Sequence, residues 1–374
     1  MILKKINKST KKRSILVVPL DWGLGHATRC IPLIKELLLN DCDVIIAAEK
    51  TTKSLLQLEF QHLTFIPLKG YHIHYSKKGN GLALTLLSQI PQILLAIYRE
   101  HQWLKKVVKK YTINAILADN RFGLYHSSLP SVYITHQLLI KTGSRLSEQI
   151  AQKIHYWFIR KYSQCWVPDF EGTQNIAGEL SHPSKLPPRT HYIGCLSRFE
   201  KIEGVQKKYD LLIMISGPEP QRTIFEKLLL IQLEHFQGKA LLVRGLPLGD
   251  KKSNLPAWTN AESSQVVIKN HLSATELNLV VQQADLVICR SGYTTIMDLA
   301  KLGQKAILVP TPGQTEQEYL ATHLMKEQLF YAAAQEGFSL TAAIKNAAGF
   351  PLALTTPGME QFKRTVYDFV QSLR

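Results

Sequence analysis

Short runs of apolar and β-branched residues alternate along this chain with longer stretches in which apolar positions recur every three or four residues. The first pattern suits a strand buried on both faces and the second a helix burying one face, so their alternation predicts parallel α/β units. Strands are expected at Ser14–Leu20, Cys42–Ala47, Leu63–Pro67, Ile113–Ala118, Ser131–Thr135, Cys165–Val167 and Thr190–Gly194. Helices fit between them at Ala27–Asn40, Thr52–Phe60, Leu82–Ile97, Glu100–Tyr111 and Arg145–Tyr162. The series restarts with strands at Tyr209–Ile215, Lys239–Arg244, Gln265–Ile268, Asp285–Cys289 and Lys305–Val309. Helices near Arg222–His235, Ser273–Ala284, Thr294–Leu302 and Gln317–Glu327 accompany them.

This reads as an α/β protein of two doubly wound domains, 1–196 and 197–357, joined through the polar stretch Leu196–Lys208. A last helix within 358–374, after Thr356-Pro357-Gly358, is expected to pack back on the first domain. The apolar run 82–98 contains Ser88, Gln89, Pro91 and Gln92 and is shorter than the roughly 20 residues a spanning helix needs. It is expected either in a core or at a membrane interface. In the interfacial case Leu86, Ile90, Leu94 and Ile97 form a stripe leading to Trp103 and to Lys105, Lys106, Lys109 and Lys110.

A length of 374 residues suits two such domains. The five cysteines are scattered and never spaced C-x-x-C, which argues against a disulfide framework or structural zinc and for a reducing compartment. Residues 1–13 carry six bases and no acid, but Ile15–Leu20 is too short for the core of a secretory leader. Charge divides the chain. Residues 1–197 hold 26 Lys+Arg against 12 Asp+Glu, and residues 198–374 hold 19 against 17. The first half is thus suited to an anionic partner, and the second is nearly neutral.

Three strand-to-helix turns carry candidate chemistry. The first, Leu20-Asp21-Trp22-Gly23-Leu24-Gly25-His26, offers Gly23 and Gly25 for a close backbone approach and His26 at the mouth of the sheet. Arg29 stands where a dinucleotide fingerprint would have its third glycine, which counts against NAD. The second, Ser216-Gly217-Pro218, opens the second domain, with Ser216 and Gly217 able to meet an anion. The third, Arg290-Ser291-Gly292-Tyr293-Thr294-Thr295, puts hydroxyls and free amides at a helix N-terminus, a setting for a diphosphate, with Asp298 one turn on for a ribose diol. The polar loop Val309–Tyr319 follows, able to read sugar hydroxyls. His26 is the candidate general base, with His136 and Asp119 as alternatives or orienting partners. Asp41-Cys42-Asp43 precedes its strand instead of following it, so no metal site is read there.

These motifs resemble GT-B glycosyltransferases that use UDP-sugars, above all the UDP-GlcNAc:lipid-linked muramoylpentapeptide transferase family of peptidoglycan synthesis. The resemblance is strongest over 265–322 and present over 14–40 and 190–222. It implies two Rossmann-like domains facing across a cleft, no required cofactor or metal, and inversion at the anomeric carbon. Arg198, Ser216, Gly217, Arg290, Ser291, Gly292, Thr294 and Thr295 would then meet the donor diphosphate. Asp298 would hold the ribose, the backbone at His271-Leu272 the uracil, and Gln317 with Glu318 the donor sugar. The expected partners are a UDP-sugar, a lipid-linked or glycan acceptor and an anionic membrane surface, with the enzyme cytoplasmic and peripheral at the inner face.

Departures from the family pattern point to another acceptor. Glu318 replaces a Gln, which changes the sugar pocket and leaves the donor sugar open; the first glycine loop is thinned, and Thr135-His136-Gln137 lacks the acid of a His-Glu-Gln motif. A GT-B UDP-sugar 2-epimerase would share the donor site without needing an acceptor. A basic nucleic-acid-binding protein would explain the charge. Against the latter, no nucleic-acid-binding signature occurs and aromatics are not interleaved with the basic runs.

Overall fold

The computed structural model describes residues 12–21, 24–71, 82–142, 144–246, 255–260, 265–351 and 360–373, with side chains of the 82–110 helix described from Pro91 on. The first domain runs β1 (Arg13–Val18), α1 (Leu24–Leu39), β2 (Cys42–Ala47), α2 (Lys50–Glu59), β3 (Thr64–Ile66), α3 (Leu82–Lys110), β4 (Ala115–Asp119), β5 (Ser131–Ile134), α4 (Arg145–Ile159), β6 (Gln164–Val167) and β7 (Thr190–Tyr192). Its strands pair in parallel in the order β3-β2-β1-β4-β5-β6-β7.

The second domain runs β8 (Tyr209–Met214), α5 (Gln221–Leu233), β9 (Ala240–Val243), β10 (Val266–Lys269), α6 (Ala274–Gln282), β11 (Ala284–Cys289), α7 (Tyr293–Leu302), β12 (Ala306–Leu308), α8 (Thr315–Lys326), β13 (Tyr331–Ala332) and α9 (Leu340–Ala348). Its strands are again parallel, ordered β10-β9-β8-β11-β12-β13. A final helix, α10 (Gln361–Ser372), follows.

Both sheets are covered on two sides, which is why their strands read as unbroken apolar runs. Ile15 and Val17 of β1 face the core under α1, while Leu16 and Val18 between them face the opposite core with Leu104 and Val107 of α3. The final helix joins the first of these cores. Phe362, Val366, Phe369 and Val370 recur at helical spacing and pack with Ile31 and Trp166, the Phe369 ring meeting Trp166 edge-on at 5.3 Å. The chain therefore crosses from the first domain to the second and returns.

Two details differ from expectation. One continuous helix, α3, replaces the expected pair, because nothing at Tyr98-Arg99 breaks a helix. Of the stripe proposed on it, Leu86 and Ile90 lie outside the described side chains, and Ile97 is buried with Leu20, Tyr71 and Phe158. Trp103 packs on a core, whereas Leu94, Leu95 and Tyr98 are exposed. Among the described residues no helix is long and apolar enough to cross a membrane.

The C-terminal ends of the two sheets face each other, where doubly wound folds place their sites. The domains touch there through polar contacts. The Thr294 hydroxyl donates to the Gly25 carbonyl at 3.1 Å, the Thr315 hydroxyl to the Lys141 carbonyl at 2.8 Å, and the Ala274 amide to Glu59 at 3.0 Å.

Candidate active site

Helix α1 begins at the end of β1, and its first turns carry His26 and Arg29, three residues apart and so on one face. Gly23 lies outside the described residues. Gly25 stands in the first turn opposite Thr294, whose hydroxyl donates to the Gly25 carbonyl, so the starts of α1 and α7 meet there. Asp119 closes β4 at 1% exposure. Its Oδ2 lies 2.7 Å from His26 Nδ1 and its Oδ1 2.5 Å from Arg29 Nη2. Burial alone would push the Asp119 carboxyl up, but Arg29 and then His26 outweigh it and hold the group below the ordinary carboxylate range.

Arg29 Nη2 also lies 2.8 Å from His26 Nδ1. A guanidinium can only donate, so that approach competes with a proton on Nδ1, and the ionised carboxylate settles the matter as the stronger acceptor. His26 donates from Nδ1 to Asp119, and its Nε2, which no described residue engages, is left bare. The side chain is 16% exposed.

The third expected participant, His136, follows β5 and is buried. Its Nδ1 accepts from Arg29 Nη1 at 2.8 Å, and its Nε2 donates to Glu316 of α8 at 2.6 Å. Both nitrogens are committed, so His136 supports the site and is not itself a base. Burial lowers its pKa despite the opposing pull of Glu316, which keeps the ring neutral near pH 7. The ring stacks on Tyr293 of α7, with centroids 4.0 Å apart and planes within 2°. Glu316, pushed up by burial, is brought below its ordinary range by His136 and then by His26 and Arg29.

Sequence reasoning missed Arg29, Tyr293 and Glu316 as participants. Arg29 was legible as a helical neighbour of His26. Glu316 was not, since its partner is 180 residues away.

On the facing domain, α7 starts at Gly292 without a side-chain cap, so its first amides and the half-buried Thr294 and Thr295 are presented to the cleft. Ser216 is exposed at the end of β8, and Gly217 beside it has φ +106°, a conformation glycine adopts without strain.

Other expected donor contacts are turned elsewhere. Arg290 is 1% exposed. Its guanidinium donates to the carbonyls of Val309, Pro310 and Gln221 and to Gln335, and lies 4.1 Å over the Phe225 ring. With four acceptors in hand it braces the loops instead of facing a diphosphate. Ser291 is buried and donates to the Gln317 carbonyl at 2.8 Å. Gln317 is spent on the Thr311 amide and on Gln314. Glu318 accepts from the Gly313 amide and, two residues past Glu316, points to the other side of α8.

Asp298 is 3% exposed. It accepts from the Ser197 hydroxyl at 2.6 Å and from the Arg198 amide and Nε at 3.3 Å each, fastening the interdomain linker to α7. Burial raises its pKa, and Arg198 and Ser197 counter this only in part. His271 and Leu272 lie half-buried between β10 and α6. Among the described residues no group of His, Cys, Asp and Glu is arranged to hold a metal ion.

Residues 259–373 match the glycosyltransferase family 28 C-terminal domain. An uncharacterized glycosyltransferase of Methanosarcina acetivorans is 22% identical over 329 residues, covering 84% of this chain and 83% of the relative. The UDP-N-acetylglucosamine--N-acetylmuramyl-(pentapeptide) pyrophosphoryl-undecaprenol N-acetylglucosamine transferase of Histophilus somni is 24% identical over 323 residues, covering 83% and 82%. Among solved structures, MurG of Acinetobacter baumannii superposes with a TM-score of 0.55 at 12% identity, covering 97% of this chain and 100% of the other.

Proposed function

We propose that this chain, a MurG-like glycosyltransferase carrying the family 28 C-terminal domain on a GT-B frame, moves a hexose or N-acetylhexosamine from a UDP-sugar, with inversion, to a hydroxyl or phosphate of a lipid-linked or cell-envelope acceptor. The observation that carries this is the His26–Asp119 pair, its Nε2 bare, set where the starts of α1 and α7 meet. With a hydroxyl acceptor, Nε2 takes the proton as the acceptor oxygen attacks the anomeric carbon. The bond from that carbon to the diphosphate oxygen breaks on the opposite face, and its electron pair leaves with UDP. Asp119 holds the imidazole in register and stabilises the imidazolium that forms. The amides at the start of α7, with Thr294, Thr295 and Ser216, meet the charge developing on the diphosphate. Arg198 can join them by releasing Asp298.

The acceptor side is proposed to dock on an anionic membrane at its cytoplasmic face. Helix α4 buries Tyr156, Phe158 and Ile159, yet it also exposes a second apolar stripe, Leu146, Ile150, Ile154 and Trp157, at 69%, 51%, 51% and 55%. Exposed Leu94, Leu95 and Tyr98 of α3 add apolar surface, and Arg145, Lys153, Arg160, Lys105, Lys106, Lys109 and Lys110 are exposed on the same two helices. Apolar insertion combined with bases contributing about 1 kcal/mol each gives reversible attachment.

Calorimetry with UDP, followed by a screen of UDP-sugars for release of UDP, tests the donor reading. Saturable UDP binding and turnover of at least one UDP-sugar are expected, and no UDP binding at millimolar concentration overturns it. Co-sedimentation with anionic vesicles, lost in high salt, tests the docking.

A further inference from the structure

The two domains meet on a string of polar side chains that ends at His26. Glu316 stands in the first turn of α8, 2.6 Å from His136 Nε2, and His136 Nδ1 lies 2.8 Å from Arg29 Nη1. Arg29 Nη2 lies 2.5 Å from Asp119 Oδ1, and Asp119 Oδ2 lies 2.7 Å from His26 Nδ1. Each link constrains the next. Because Arg29 can only donate, His136 Nδ1 must be bare, so the single ring proton sits on Nε2 and needs an acceptor. That acceptor is supplied by the other domain.

We propose that Glu316 is a positioning residue for His26, delivered by closure of the cleft, so that the base is fully assembled only when the donor-binding domain is docked. The proposal rests on the reading of His26 as base. Opening the cleft removes both Glu316 and the Tyr293 ring on which His136 stacks. Within the first domain the His136 tautomer is then held by Arg29 alone, and when the ring turns or its proton moves to Nδ1, Arg29 loses an acceptor that holds it against Asp119. A base that is ordered only in the closed form limits loss of the donor sugar to water in the open form. The titratable and charged groups around His136 are His26 and Arg29 from α1, Asp119 from β4, Tyr293 from α7 and Glu316 from α8.

Histidine side-chain nitrogen spectra of the ¹⁵N-labelled full chain decide the matter, with peaks assigned through His26→Gln and His136→Gln. The two rings should be opposite tautomers in the parent, protonated at Nε2 in His136 and at Nδ1 in His26. Glu316→Ala should give mixed tautomers at His136 and shift the His26 side-chain nitrogen resonances, whereas Glu316→Gln, which keeps an oxygen acceptor, should restore the parent pattern. UDP affinity by calorimetry should stay within about twofold in both variants, since positioning of the base leaves the diphosphate contacts alone. Unchanged tautomers in Glu316→Ala overturn the proposal, as does a tenfold loss of UDP affinity without a spectral change, which would make Glu316 a donor contact. Failure of the parent itself to bind UDP would instead overturn the donor reading, and the spectra would still report on Glu316.

Discussion

The turn after β1 and the turn after β11 occupy matching places in the two domains, yet they present opposite kinds of chemistry. After β1, His26 and Arg29 aim ionisable side chains at the cleft and are ordered by Asp119. After β11, Arg290 and Ser291 turn inward to brace loops, and what reaches the cleft is backbone amide and threonine hydroxyl. The other buried arginines of the second domain follow suit, Arg222 and Arg244 both pairing with Glu226. On the proposed reading the first domain moves a proton and the second holds an anion with fixed dipoles. Fixed dipoles suit a diphosphate because they need no reorganisation and no titration.

The comparison can be broken most decisively at His26. His26→Ala should lower turnover about 10²–10⁴-fold while leaving UDP affinity nearly unchanged. A parallel loss of UDP binding would erase the division of labour between the domains. The next effect is on stability. Arg290→Met strips several buried acceptors of their donor and should cost about 3 kcal/mol in chemical denaturation. Loss of UDP affinity at full stability would return Arg290 to the donor site.

A comparable effect belongs to His155 in the first domain, which is buried and held neutral, its pKa lowered by burial to about 4. The unfolded chain takes up this proton below its ordinary value of 6.5, so His155 places no penalty on folding above that pH. Stability should then fall as pH drops from about 6.5 towards 4, by about 3 kcal/mol in all. Denaturation measured across this range should show the slope, and His155→Phe should flatten it. The smallest effect is at the surface. Trp157→Ser should leave stability within about 0.5 kcal/mol of the parent while weakening attachment to anionic vesicles by about tenfold. Unchanged attachment would leave the α4 stripe without its proposed role.

The fold was largely legible because each strand is sandwiched and so announces itself as an apolar run, as at Ile15–Val18 and Leu211–Ile213. The two-residue strand β13 and the nine-residue helix α9 were not foreseen, since elements so short carry little periodic signal. At the site, His26 was readable as a candidate from its place at a loop-to-helix junction and Asp119 from its place at a strand end. Arg290 misled because an arginine beside Ser-Gly at a helix start suggests an anion, while its true partners lie on loops distant in sequence. Glu318 misled similarly: it stands beside Gln317, but the turn of α8 sends it away from the cleft and sends Glu316 towards it. The face of α4 that remains uncovered was hidden by having two apolar faces on one helix.

The return of α10 onto α1 ties the order of synthesis to the order of folding. The sheet around β1 is complete once β7 has been made, but the apolar groove that receives Phe362, Val366 and Phe369 stays open until the whole second domain has emerged. A ribosome-bound chain therefore carries a nearly finished first domain with one greasy flank uncovered for more than 150 residues of further synthesis. The helix that closes it behaves as a late clasp. Chains released before α10 is made would expose that sticky surface, a form that quality control can recognise and remove.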